Sequence, residues 1–241
     1  MPELSVSRRP YYLDGAKMDF LLHLEESTRI HGHLCPGQVL GVRMSLLGLR
    51  EIRISDPRGK DKKNIMVFVE LDRCATDAVQ SVTGCSLGHR TMKFMDYGKM
   101  AVSFLNLSTN YAVRIVAREE SKQKAKDYFP EIEDKYAAQL EAYKIMPDEE
   151  LFDVQEVTIN AIKPEDMPGR PLSRVQCESC GEYVQDAKEV YRKGLTLCKS
   201  CANTGYYEPL RRHYFSPAVM QFPHNDLSHG HQDTLKALDR N

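Results

Sequence analysis

Two cysteine pairs late in the chain constrain its fold more than any other feature. Cys177-Glu178-Ser179-Cys180-Gly181 and Cys198-Lys199-Ser200-Cys201-Ala202 are both Cys-x-x-Cys knuckles. Their separation lies in the range of a four-cysteine zinc site. The reason is geometric: a tight knuckle turn brings two thiolates to one ion, and a second knuckle completes the tetrahedron. Tyr183-Val184 and Leu195-Thr196-Leu197 read as short ribbon strands, with a turn at Arg192-Lys193-Gly194. So small a segment has no core of its own, and the metal supplies its folding energy. With Cys177, Cys180, Cys198 and Cys201 all filling ligand positions, the expected site is closed and structural. Two redox dithiols are the competing reading.

The other three of the seven cysteines, Cys35, Cys74 and Cys85, lie early, beside Gly, Pro, Asp or His. Residues 1–10 carry charges and Pro without an apolar h-region, and no apolar run reaches the roughly 18 residues that span a bilayer. The expectation is a cytoplasmic protein with no membrane contact. There thiols stay reduced, and clustered cysteines bind metal or do chemistry. Lys and Arg total 33 against 34 Asp and Glu, a net charge of -1. That balance argues against a bulk polyanion binder. In the ribbon, Lys188, Arg192, Lys193 and Lys199 are offset by Glu178, Glu182, Asp186 and Glu189. A protein contact therefore fits the ribbon better than nucleic acid.

The chain divides, on this reading, into an N-terminal arm (1–16), a core (17–163), a Pro- and Gly-rich linker (164–173), the ribbon (174–207) and a His-rich tail (208–241). In the core, apolar spacing predicts a helix from Lys17 to Thr28 and another beginning at Pro36. Ile65 to Leu71 reads as a buried strand, and Asp72 to Gln80 as a strand end running into a short helix. Ser81 to His89 reads as a loop or tight turn. Met100 to Leu107 and Tyr111 to Val116 form a hairpin candidate. Arg118 to Tyr128 and Glu131 to Ile145 read as helices broken at Pro130. Leu151 to Ile162 supplies a last strand.

His31-Gly32-His33-Leu34-Cys35-Pro36-Gly37 concentrates metal-ligating side chains. In an extended segment His31, His33 and Cys35 would share one face. Imidazole and thiolate are natural ligands for zinc or a similar borderline ion. Pro36 places Cys35 at a helix N-terminus, where backbone N–H groups favour a thiolate. Cys74, Asp77, Cys85, His89 and Asp96 are further candidates. Taken one at a time, each has a bland explanation, as a small buried hydrophobe or a satisfied polar group. In the tail, His224, His229 and His231 stand near Asp226 and Asp233; a solvated His-rich terminus explains them better than a ligand folding back.

The order His31-Gly32-His33-Leu34-Cys35-Pro36-Gly37, Gly41-Val42-Arg43-Met44, Cys74-Ala75-Thr76-Asp77-Ala78-Val79-Gln80, Thr83-Gly84-Cys85-Ser86-Leu87-Gly88 and Asp96-Tyr97-Gly98-Lys99-Met100-Ala101 resembles the FmdE family, proteins named after formylmethanofuran dehydrogenase. The resemblance covers roughly Met18 to Ile162, and a zinc ribbon after the core is similar to the layout of longer members. It implies an α+β fold, with a mixed or antiparallel sheet and packed helices, and a homodimer. It also implies a cleft lined by the His-x-His-x-Cys-Pro and Cys-x-x-Asp-Ala segments, with His31, His33, Cys35, Cys74, Asp77 and Cys85 as carried-over candidates. The family name points to a molybdenum or tungsten oxidoreductase partner.

Three functions follow. In an accessory protein, His31, His33, Cys35 and Cys74 hold a second ion, zinc by ligand type, for a partner oxidoreductase. In an enzyme acting on a small one-carbon or pterin-like substrate, Cys35 or Cys85 is the nucleophile, or a metal activates water, and Asp77 moves protons. In a regulator, the ribbon binds nucleic acid. The residues support metal binding better than any one reaction, and whether the chain is catalytic is left open.

Overall fold

Ile65-Met66-Val67-Phe68-Val69 is apolar at every position, the pattern of a strand buried on both faces. In the computed structural model this is β1 (Ile65–Val69), near the middle of a five-stranded sheet. The structure describes residues 14–160, 162–203, 205–207 and 210. The core elements are α1 (Asp14–His31), α2 (Pro36–Glu51), β1, α3 (Cys74–Thr83), β2 (Met92–Phe94), β3 (Ala101–Asn106), β4 (Tyr111–Ala117), α4 (Ser121–Tyr128), α5 (Lys135–Ile145), α6 (Asp148–Leu151) and β5 (Phe152–Val157). The strand order is β2-β1-β3-β4-β5. β1 and β2 run parallel, with Val67 opposite Met92, and the remaining pairs are antiparallel. The α+β class with a mixed sheet is thus the observed architecture.

Alternation sorts the strands. Ile65, Val67, Val69, Val102, Phe104, Val113 and Ile115 face the helices in the main core. Met66, Phe68, Leu105 and Ala112 face the other way, where Val157, Ile159 and Ile162 cover them. β5 is an edge strand, and its central residues are exposed.

α2 is apolar nearly all round, as befits a helix at the centre of a layer. Its polar residues are all used. Arg43, 3% exposed, donates to the carbonyls of Tyr143 and Met146 at the end of α5 and to Asp148. Buried Gln38 pairs with Ser27 of α1 and donates to the Cys74 carbonyl at 2.5 Å. Gly41 lets α3 approach: a Cβ there would stand 2.6 Å from Ala78 Cβ and 2.8 Å from the Ala75 backbone.

Several elements differ from the sequence reading. α1 runs to His31, where Gly32 at φ 94 ends it by a left-handed turn. β2 is too short to leave a periodic signal. β1 stops at Val69, α3 reaches Thr83, and β5 ends at Val157.

Chain contacts divide the molecule into two units: one runs through residue 174 and takes in 185–187, and the other comprises 175–184 and the chain from 188. The short strands beyond the core are β6 (Arg174–Gln176), β7 (Tyr183–Gln185), β8 (Val190–Arg192) and β9 (Leu195–Leu197), followed by α7 (Lys199–Ala202). Lys193 (φ 51) and Gly194 (φ 79) close the β8–β9 hairpin, the two positive φ values a tight primed turn needs. Residues 1–13 and the tail histidines His224, His229 and His231 lie outside the described residues. Among the described residues no helix is long and apolar enough to cross a membrane.

Candidate metal centres

The ribbon brings Cys177, Cys180, Cys198 and Cys201 together, with all four sulfurs within 4.8 Å of one another. Cys180 and Cys198 Sγ are 3.9 Å apart. A tetrahedron with Zn–S near 2.3 Å has sulfur–sulfur edges of about 3.8 Å, so the cage already has the size of a zinc site. None of the four is in a disulfide. Local backbone makes the knuckles: Gly181 N–H donates to the Cys177 carbonyl with Gly181 at φ 77, and Cys201 N–H reaches Cys198 Sγ at 3.4 Å. The backbone N–H groups of Cys180 and then Cys198 pull the Cys177 thiol down to about 6. Cys180 is lowered by the Glu182 backbone, yet burial and the neighbouring thiols outweigh that and push it up to about 12. Four sulfurs sharing one cage lose their protons unevenly, and a cation removes the conflict.

The core holds a second cluster. His31, Cys35 and Cys74 each offer a ligand atom, again all within 4.8 Å. Three helix ends place them. His31 is the last residue of α1, Cys35 is the N-cap of α2, and Cys74 is the first residue of α3. Both thiols therefore stand where unpaired N–H groups and the helix dipole favour negative charge. Cys35 caps with its carbonyl, which accepts from Gln38 and Val39, and its sulfur makes no capping bond. Gly37 keeps the space between the sulfurs open: a Cβ there would lie 3.0 Å from Cys74 Cβ and 3.7 Å from both sulfurs.

His31 Nδ1 lies 2.7 Å from Asp77 Oδ2. With the proton on Nδ1, the other ring nitrogen carries the free lone pair. That Nε2 is buried and has no hydrogen-bond partner. A buried acceptor left unpaired is costly unless something binds it. Carboxylate, imidazole and an ion in line is the usual arrangement around a ligating histidine. The donor set, two thiolates and an imidazole, suits zinc. Burial, followed by the hydrogen bond and charge of Cys35, raises the Cys74 thiol, the direction a bound cation would reverse.

The remaining candidates fall elsewhere. His33 is exposed and stacks on His31, with ring centroids 4.6 Å apart, outside the three-residue group. The shared face expected of an extended His31–Cys35 segment does not form, because His31 is helical and Gly32 turns the chain. Asp77 orients His31. Cys85 sits beyond the far end of α3, which at ten residues spans about 15 Å. It is 1% exposed, and burial raises its thiol against the opposing Thr83 and Thr91 hydroxyls. His89 lies on the same far side. Asp96 is exposed and joins neither group. Gln38 and Gly37 are the contributors that the sequence reading missed; a buried polar residue three positions after a helix-capping cysteine was the available signal.

Residues 30–153 match the FmdE family, described as "Molybdenum formylmethanofuran dehydrogenase operon". Residues 170–207 match the prokaryotic dksA/traR C4-type zinc finger. A curated relative from Archaeoglobus fulgidus, described as "Probable S-adenosyl-L-methionine-binding protein", is 28% identical over 198 residues, which cover 76% of this chain and 53% of that protein. The chain thus spans about half the length of the curated relative it matches. A crystal structure of an FmdE-like protein of tungsten formylmethanofuran dehydrogenase, from Syntrophus aciditrophicus, has the same fold, with a TM-score of 0.54 and 22% identity over 78% of this chain and 95% of that one. The motif order in the core and the four-thiol ribbon agree with these matches, and the chain belongs to the FmdE family.

Proposed function

We propose that the chain is a metal-carrying accessory protein: its core holds one ion, zinc by ligand type, between His31, Cys35 and Cys74 and presents an open coordination position to a partner oxidoreductase of the molybdenum or tungsten formylmethanofuran dehydrogenase type. The observation that carries this is the buried, partnerless Nε2 of His31 lying in one 4.8 Å group with two helix-terminal thiols. Three protein donors leave a fourth position free on a tetrahedral ion. The ligands are only half-buried, with exposed His33 and Leu34 beside them. Three cavities in the core unit are lined by residues other than these three. A shallow centre suits exchange of an ion or a ligand better than it suits enclosing a substrate. The cytoplasmic location and the homodimer belong to the same proposal, and sedimentation of the purified chain tests the dimer.

Metal analysis of the full chain tests the core centre. The expected count is two ions per chain, and one each in Cys35→Ala and Cys177→Ala, with the core fold of Cys35→Ala intact by circular dichroism. A Cys35→Ala protein that keeps both ions sinks the assignment. Delivery further requires that one ion pass rapidly to a colorimetric chelator while the other is retained; two equally inert ions would count against it.

Asp77→Asn should weaken the core ion about 10- to 100-fold by chelator competition, because a second-sphere carboxylate fixes the ring and raises its basicity. The Asp77 side chain is half exposed, so folding should not change. Unaltered affinity would remove Asp77 from the site.

A catalytic reading, on a small one-carbon substrate, draws on the archaeal relative: S-adenosyl-L-methionine, named in that longer protein's description, carries a one-carbon unit. Equilibrium dialysis of this ligand against the native chain and Cys35→Ala tests it. Binding lost in Cys35→Ala favours the enzyme, and no binding to either removes its support.

A further inference from the structure

At the far end of α3 from the core cysteines lies a cavity of about 840 Å³. That is within the roughly 300–1,000 Å³ typical of small-molecule sites. Its composition is one-sided. Arg58, Lys62, Lys63 and His89 line it, and no lining residue is acidic. Arg58 is fixed at the wall by a two-oxygen pairing with Glu26, at 2.8 and 3.0 Å, and by a bond to the Ser81 carbonyl. Lys62 and Lys63 have no carboxylate partner among the described residues. The nearby carboxylates of Asp56 and Asp61 are engaged by backbone N–H groups of their own loop.

The interior differs from this cationic side. Cys85, Thr83 and Thr91 are buried and contribute small polar groups. Thr83 and Thr91 are already committed, accepting from the Cys85 and Ser86 backbone N–H groups. Leu107 and Met167 supply an apolar wall. The segment carrying Met167 is held to the core by Arg90, which donates to the Glu165 carbonyl, and by Lys93, which reaches the Asp166 carbonyl at 2.5 Å. Gly84, at φ 69, ends α3 by a left-handed turn and lets the Arg58 side chain pass; a Cβ there would lie 3.0 Å from Arg58 Cγ.

We infer that this cavity is a binding site for an amphiphilic organic anion, a carboxylate, sulfonate or phosphate ester on a flat apolar body. The anionic group sits against Lys62, Lys63 and Arg58, and the body lies between Leu107 and Met167 over Cys85. The site does not rest on the metal reading. It uses none of the metal-centre residues and stands about the length of α3 away from them.

The test is fluorescence titration of the full chain with 8-anilino-1-naphthalenesulfonate, an aromatic body bearing one sulfonate. The expected result is saturable binding at one site per chain. It should weaken as salt is raised, and by at least about tenfold in Lys62→Glu/Lys63→Glu, since two charges beside the anion are reversed. Both lysines are exposed, so the variant keeps its fold, and circular dichroism checks this. Cys35→Ala should bind the probe as the native chain does. Unsaturable binding, or binding indifferent to both salt and the charge reversal, would mean adventitious adsorption to apolar surface and would overturn the site.

Discussion

Cys177→Ala should release the ribbon ion and unfold the ribbon while leaving the core standing. Structural zinc in units of this size is worth about 10–16 kcal/mol in apparent binding energy at neutral pH, more than so small a segment gains from packing. Its apolar cluster is Cys177, Leu197 and Ala202 with a few half-buried neighbours, and three of the participants are the ligands themselves. Removing one thiolate breaks the cage and also deletes the most buried of the four sulfurs. Limited trypsin digestion should then cut at Lys188, Arg192 and Lys193 at least about tenfold faster, and bound zinc should fall by one ion per chain. Acid should act in the same direction. The Cys177 thiol is held below its ordinary value of 9.0, at about 6. A depressed folded-state value contributes stability in full above the ordinary value and loses it as pH falls through about 6. Protons and zinc then compete for the same sulfur, so ribbon zinc should be lost on that acid side. A Cys177→Ala chain that keeps native protease resistance would mean that packing, not the ion, folds the ribbon.

The ribbon was legible in the sequence because its ligand spacing is local: two knuckles and a short hairpin need no distant partner. β1, β3 and β4 were legible for a similar reason, since apolar runs five to seven residues long have few other places to go. β2 was not, because three residues with Lys93 in the middle carry no period, and only the parallel register with β1 makes them a strand. At the core centre the ligand types could be read, because imidazole and thiolate beside Pro and Gly have few bland uses together. Their convergence could not. The pairing of His31 with Asp77 joins residues 46 positions apart, and it depends on α1 continuing to His31 rather than stopping near Thr28. The displacement of Cys85 from this group follows from the length of α3: a helix ending near Gln80 would leave Cys85 in one loop with the site, and the extra turn carries it away. Gln38 looks like an ordinary helix residue in the sequence, and only its bond to the Cys74 carbonyl gives it a role.

Convergence of the core cysteines has a specific physical requirement, the close approach of α2 and α3, and Gly41→Ala should break it. The added methyl would meet Ala78 Cβ at 2.6 Å and the Ala75 Cα and carbonyl oxygen at 2.8 Å. A flexible side chain could swing away, but backbone cannot, so the helices must part. Better helix propensity returns about 1 kcal/mol, while overpacking a well-filled core costs about 1–3 kcal/mol and more where backbone must shift. With backbone as the obstacle, the cost wins by about 2 kcal/mol, a fall in melting temperature of roughly 4–8 °C for a unit of this size. Gly88→Ala is the control, since a Cβ there meets nothing within 4 Å. Cys35 and Cys74 begin the two helices that move, and Gln38, which ties them, is on the same turn of α2 as Gly41. The proposed core ion should therefore bind at least about tenfold more weakly in Gly41→Ala, with every ligand still present, while the ribbon ion is retained. A variant that melts like the native chain and holds its core ion as tightly would show that the helix–helix contact does not set the distance between the two sulfurs.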